Sequence, residues 1–198
     1  MIVIKPSIND IKAYQRGQLP KNAIKLDTPP SIDELTKQAS PIAAILCAFL
    51  CMTMFIKTIV SHTMVVSILA VISGFIAGFV LLIVHEWLHA IVYPKAAKVT
   101  IGKLKGKMMF VALASHPLTR RRFILMSLLP FILGLVPLII FVITPAEQQV
   151  LNGIMFGMAG MGIVSPYLDV YNVITVLKQA HKKDKIMFYE DDIYKIPS

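Results

Sequence analysis

The sequence predicts an all-α membrane protein of four transmembrane helices, with a small cytoplasmic β-hairpin between spans two and three. Three observations carry that prediction. Of 198 residues 56% are hydrophobic, with a mean hydropathy of +0.70, against roughly 45–50% apolar content in a soluble domain. Four apolar runs, Pro41–Val60, Met64–Tyr93, Phe123–Ile143 and Val150–Leu177, match or exceed the ~20 residues a bilayer requires. Basic residues alternate between the runs. Six Lys or Arg lie in residues 1–40, eight in 94–122 and five from Lys178 onward, while the turns Ser61–Thr63 and Thr144–Gln149 hold none. Because positive charge stays on the cytoplasmic side, both termini and the central loop are expected there.

The elements follow in order. Residues 1–40 form a polar cytoplasmic arm with two weak helix-start signals, Ser7-Ile8-Asn9-Asp10 and Ser31-Ile32-Asp33-Glu34, separated by Pro29-Pro30. The arm lacks the basic-then-apolar pattern of a cleaved signal peptide, so the first span is expected to be a stable anchor. Residues 41–178 form the four-span domain, and 179–198 a mixed-charge tail expected to be partly ordered at most. Cys47 and Cys51 lie four apart in the first span. A disulfide along one helical turn is geometrically unfavourable, so they read as apolar residues. The second and fourth runs are longer than a bilayer needs and should extend past it, tilt or break. Gly74 and Gly78 form a GxxxG that lets helix backbones touch. Gly153 and Gly157 extend a small-residue surface on the fourth span, where Pro166 should kink or open the helix. The net charge of +9 does not indicate nucleic acid, because its residues sit in flanks and loops as a topology signal.

The chemistry is concentrated in Leu82-Ile83-Val84-His85-Glu86-Trp87-Leu88-His89-Ala90, an HExxH pattern at the end of an apolar run. Ionisable side chains in a span cost several kcal/mol unless paired or functional. On a helix His85 and His89 share a face, as two ligands of one metal must. Glu86 lies beside them, where it can take a proton from water that the metal activates. His85 lies about 31 Å along span two and Asp169 about 29 Å along span four at 1.5 Å per residue, and both spans run from outside to inside. Apart from Glu86, Asp169 is the only carboxylate in any of the four runs. A catalytic zinc takes three protein ligands and keeps an open position. His85, His89 and Asp169 would supply the three, with one Zn2+ per chain and Glu86 as general base. Asp169 as a buried acid paired without metal is the alternative.

Around this core, Gly74, Gly78, His85 and His89 fall within about 60° of one another, and Gly162, Ser165, Asp169 and Asn172 within about 80°. Asn172 could orient the Asp169 carboxylate or donate to a developing oxyanion, or it could be an interfacial asparagine. Ser165 is the other candidate to support the site. Trp87 and Tyr93 fit an interfacial aromatic belt. His116 reads as a loop residue, His62 as an outer-face residue and His181 as part of the tail. In the central loop Val99–Ile101 and Met108–Leu113 read as short strands around a turn-like Gly102–Lys107. Such a strand edge could hold an extended substrate, or the hairpin could rest against anionic lipid.

His85-Glu86-Trp87-Leu88-His89 in one span and Ser165-Pro166-Tyr167-Leu168-Asp169 two spans later resemble the site-2 protease group of intramembrane zinc metallopeptidases. More narrowly, they resemble a bacterial family of small membrane proteins called putative zincin peptidases. The resemblance covers roughly Met64 to Asn172. It implies zinc held by the two histidines and the aspartate, the glutamate as base, and peptide-bond hydrolysis in or beside a bacterial cytoplasmic membrane. The chain departs from the site-2 protease pattern in two places. Val170 follows Asp169 where that group has glycine, and Ser165-Pro166 stands in place of an asparagine–proline element. Prenyl-protein endopeptidases with HExxH take a glutamate as third ligand, and the later spans offer none.

The sequence therefore predicts an intramembrane zinc metalloendopeptidase acting on a membrane-anchored protein or peptide, with no nucleic-acid partner. Two other functions compete: a non-catalytic metal-binding membrane protein serving as a regulatory or immunity module, and a metal-dependent hydrolase of a lipid-like or small substrate.

Overall fold

The computed structural model describes residues 1–107 and 109–198. In chain order it contains β1 (Ile2–Ile8), β2 (Ile24–Lys25), α1 (Ile32–Ser61), α2 (Ile68–Val80), α3 (Leu82–Val92), β3 (Val99–Leu104), β4 (Phe110–Leu113) and β5 (Leu118–Thr119). Then follow α4 (Arg120–Leu128), α5 (Ile132–Ile143), α6 (Gln149–Val164), α7 (Tyr167–Gln179), β6 (Lys185–Tyr189) and β7 (Asp192–Ile196), with short 3-10 turns at Lys12–Tyr14 and Leu129–Phe131. Among the described residues four helical stretches are long and apolar enough to cross a membrane: Ile32–Ser61, Ile68–Val92, Arg120–Ile143 and Gln149–Gln179. The chain divides into two compact units, residues 1–38, 86–129 and 168–198 in the first and residues 39–85 and 130–167 in the second.

The second unit is helical and packs by close backbone approach. A Cβ on Gly74 would collide with the backbone of Ile154, and one on Gly157 with the backbones of Val71 and Phe75. These glycines, expected to let helices touch, do so between α2 and α6. Gly134 and Gly162 do the same between α5 and α6. Apolar side chains gain nothing by leaving lipid, so contact of this kind must hold such helices together. Lys57 on α1 donates to the carbonyls of Phe141 and Thr144 at the end of α5 and to Asn152 Oδ1. A cation in a span needs acceptors, and the unsatisfied carbonyls at a helix C-terminus supply them together with a favourable dipole. Asn152 is completely buried and donates in turn to the Pro145 carbonyl at 2.8 Å.

Of the outcomes open to the two long runs (extension past the bilayer, tilt or a break), both show a break. Span two divides at Leu81 into α2 and α3. Span four divides at Ser165-Pro166, where the Ser165 N–H makes the last bond, to Met161 O at 3.0 Å, and Pro166 has no N–H to continue.

The first unit shows that the chain is mostly helical rather than all-α, because it carries two small sheets. In one, β1 runs parallel to β3, and β4 lies antiparallel on the other side of β3. The two strands expected in the central loop are therefore present, but as part of a three-stranded sheet that recruits the N-terminal arm. Met108, the first residue of the expected second strand, lies outside the described residues. The other sheet has the order β2-β7-β6-β5, so the tail is an ordered hairpin. The register of β1 shifts between Lys5 and Ile8, around Pro6, as a proline in an edge strand allows. Of the two helix-start signals, Ser31 caps α1 by accepting from the Glu34 N–H. The earlier one ends β1 instead, with Asp10 Oδ1 accepting from the Lys12 N–H ahead of a 3-10 turn. The core of this unit joins Ala90 and Tyr93, Val99 and Ile101, Phe123 and Val176.

Gly157→Ala should lower the unfolding free energy in mixed micelles by about 1–3 kcal/mol, the usual cost of overpacking. Denaturant titration measures it, and an unchanged midpoint would show that α2 and α6 can separate freely.

Candidate metal centre

Helix α3 presents His85, Glu86 and His89 within its 11 residues, and α7 presents Asp169 in its first turn. Glu86, His89 and Asp169 belong to the first unit, where His89 Nε2 lies 3.5 Å from Asp169 Oδ2. His85 closes the adjoining stretch of the same unbroken helix. One turn separates it from His89, so helical geometry alone fixes the two on one face. One ligand atom from each of His85, His89 and Asp169 lies within 4.8 Å of the others. Bonds of about 2.0–2.2 Å around a tetrahedral zinc put neighbouring ligand atoms roughly 3.4 Å apart. The His89–Asp169 separation meets that spacing, and the donor set of two imidazoles and one carboxylate suits zinc.

The supporting contacts orient these groups. His89 Nδ1 lies 2.8 Å from the Met126 carbonyl on α4. A carbonyl only accepts, so Nδ1 carries a proton, and Nε2 is the ring nitrogen turned toward Asp169 and open to a metal. His85, Glu86 and His89 are 6, 8 and 6% exposed, while the Asp169 side chain is 21% exposed. The cluster is thus walled on the α3 side and reachable on the α7 side.

Glu86 is beside the ligand group and accepts from the Ala112 N–H on β4. The register explains why that amide is available. Leu104 N–H donates to Met109 O, and Lys103 pairs with Phe110, Gly102 with Val111 and Ile101 with Ala112. Antiparallel pairs alternate between bonded and non-bonded, so the N–H groups of Phe110 and Ala112 point away from β3. Strand β4 is the sheet's edge, and its outward side is the one that meets Glu86.

The remaining candidates take different places. Asn172 is half-buried one turn beyond Asp169. Ser165 lines a small cavity in the second unit with Gly78, Gly162 and His85. Its Oγ is buried and has no hydrogen-bond partner among the described residues. Trp87 is exposed, in keeping with an aromatic belt, but Tyr93 is buried in the core of the first unit and does not belong to one. His62, His116 and His181 join no metal-sized group among the described residues. Two contributors escaped sequence reasoning, the Met126 carbonyl and the Ala112 amide. Both are backbone groups, which leave no residue-type signal.

The family described as "Putative zincin peptidase" matches residues 78–184. That span is more than half of the chain, and the chain belongs to this family. No curated protein and no solved structure matches it.

Elemental analysis of the purified protein should find about one zinc per chain, as a three-ligand site would bind. Asp169→Ala should lose most of it while keeping its helical circular dichroism. Equal zinc in both proteins would separate Asp169 from the site.

Proposed function

With that family as the premise, we propose that the protein is an intramembrane zinc metalloendopeptidase that cleaves a membrane-anchored protein or peptide near the cytoplasmic face of a bacterial membrane. The observation that carries the proposal is a buried cluster on apolar helices in which two imidazoles and a carboxylate converge with a second carboxylate, Glu86, beside them. The positive-inside pattern of the basic loops supports a cytoplasmic location. The pairing of HExxH in one span with an aspartate two spans later supports a site-2 protease-like reaction.

His85, His89 and Asp169 would hold the metal. Zinc bound there supplies a Lewis acid that polarises a peptide carbonyl and acidifies water. Glu86 takes the proton of the attacking water on its carboxylate and returns it to the leaving amide nitrogen. The Ala112 N–H holds that carboxylate on the side facing the reacting bond. Asn172 can donate to the oxyanion or orient Asp169. Packing around α3 keeps bulk water from the imidazoles, and the partly exposed Asp169 side admits the substrate.

A spanning helix must unwind before a protease can reach its backbone, and the unwound segment needs partners for its exposed amides. The outward edge of β4 offers them. Phe110 is free to pair, and Ala112 marks the point where the strand meets Glu86. An extended segment lying along this edge would bring its next peptide bond to the carboxylate.

Glu86→Gln should lower cleavage of a membrane-anchored reporter by at least about 10²-fold with zinc content unchanged. Full activity in reconstituted vesicles would refute the assigned mechanism, and loss of zinc would move Glu86 into the ligand set. Phe110→Pro removes an outward N–H without touching the β3 ladder. It should lower kcat/KM for a peptide several-fold, as loss of one hydrogen bond does, whereas a hydrolase of small or lipid-like substrates would be indifferent to it.

A further inference from the structure

Arg120, Arg121 and Arg122 read in the sequence as a topology signal, yet two of them are engaged in the first unit. Arg122 Nε donates to the carbonyl of Val92, the last residue of α3, at 2.6 Å. Arg120 Nη2 donates to the carbonyl of Leu177, in the last turn of α7, at 3.2 Å. Both acceptors are among the carbonyls that a helix leaves without an internal partner, and a cation there also meets the negative end of the helix dipole. The same short helix, α4, carries the Met126 carbonyl that receives His89 Nδ1. One helix is therefore bonded to α3 twice, at its end and at a ligand candidate, and to α7 once.

The start of α4 is itself held in place. Thr119 caps it by accepting from the Arg122 N–H, and β5, immediately before it, pairs with β6. The Arg120 N–H reaches the Asp184 carbonyl at 3.3 Å. The end of α7 is fastened separately, with Gln179 bonded both ways to the Asp27 backbone and Lys195 donating to the Gln179 carbonyl at 2.8 Å. Arg121 is exposed and makes no such bond among the described residues.

We propose that Arg120 and Arg122 are positioning residues that set the spacing between His89 on α3 and Asp169 on α7 by clamping the ends of both helices to α4. The inference rests on the metal-centre reading above. It assigns the arginines a function in metal affinity that neither topology nor bulk charge would give them.

Zinc affinity measured by chelator competition tests this on the full-length protein in detergent, with circular dichroism as a check on folding. Arg120→Gln with Arg122→Gln should weaken zinc binding by about tenfold or more, the usual range for residues that orient ligands. Arg121→Gln removes the same charge from the same cluster and should stay within about twofold, as exposed charges do. Arg120→Lys with Arg122→Lys should recover most of the affinity, since lysine also bonds helix-terminal carbonyls. Parent-like affinity in the glutamine double variant, or an equal loss in Arg121→Gln, would overturn the proposal. If the double variant does not fold, Arg122→Gln alone should alter the ligand-field bands of the cobalt-loaded protein, and an unchanged spectrum counts against the clamp. If the parent binds no metal, the metal reading fails and the clamp is judged by histidine nitrogen NMR. Arg122→Gln should then weaken the His89 Nδ1–H bond to Met126, and a bond identical to the parent's would refute the clamp.

Discussion

His89 on α3 and Asp169 on α7 meet at 3.5 Å in a chain whose long helical stretches are predominantly apolar, and several contacts of the first unit converge on that meeting. An ionisable side chain on such a helix costs several kcal/mol if left alone. The cost falls only if its neighbours donate, accept or carry opposite charge. Helix α7 begins at Tyr167, just past Pro166, so Asp169 stands in its first turn rather than deep within an unbroken span. The N-terminal end of a helix favours a carboxylate, which makes the break useful electrostatically as well as sterically. On the other side, the Met126 carbonyl fixes the His89 ring, and a histidine held at one nitrogen is committed at the other.

The two units solve their packing problems by different chemistry. In the second unit the closest helix approaches are made where a side chain is missing, Gly74 and Gly157 between α2 and α6 and Gly134 and Gly162 between α5 and α6, beside an apolar cluster around Leu138, Phe141 and Ile163. Lipid competes with leucine on equal terms, so only close van der Waals contact and buried hydrogen bonds favour association there. Lys57 with Asn152 and the carbonyls ending α5 supplies the hydrogen bonds. The first unit has what a water-soluble domain has, a core of aliphatic and aromatic side chains under two small sheets. Parts of the chain that looked incidental in the sequence build it. The N-terminal arm gives β1 and β2, and the tail gives β6 and β7.

What was legible in the sequence follows from this contrast. Helices in apolar runs announce themselves by length, and the break at Ser165-Pro166 by its proline, whereas excess length in the second run left extension, tilt and a break equally open and did not mark Leu81. The grouping of His85, His89 and Asp169 could be found because few ionisable residues occur in the runs and helical spacing restricts which can meet. The sheets were less legible. Strand β1 is seven residues with Pro6 inside it, and its partner Val99–Leu104 is far along the chain. The tail's alternation was masked by its charges, and its two strands pair with each other and with the distant segments Ile24–Lys25 and Leu118–Thr119. Tyr93 follows the span by one residue, a position where aromatic residues commonly meet lipid, but the turn after α3 carries it into the core. Arg120 and Arg122 satisfied a simpler explanation, positive charge beside a span, that hid their hydrogen bonds.

Glu86 is the residue on which the proposed catalysis and mere metal binding differ. A binding module needs a ligand set and a supporting shell, which His85, His89, Asp169 and the Met126 carbonyl would provide. Glu86 adds nothing to that set. It adds another carboxylate, 8% exposed, beside Asp169 in a cluster already rich in ionisable groups. Carboxylates crowded together repel when both are charged, so for binding alone an alanine or leucine at this position would serve the fold better. The position is also not neutral ground: Glu86 accepts from the Ala112 N–H of an edge strand. A costly group aimed both at a metal-sized site and at a strand edge able to hold an extended chain fits a proton carrier for peptide hydrolysis. Structural roles that explain each feature singly do not explain why they converge on one side chain.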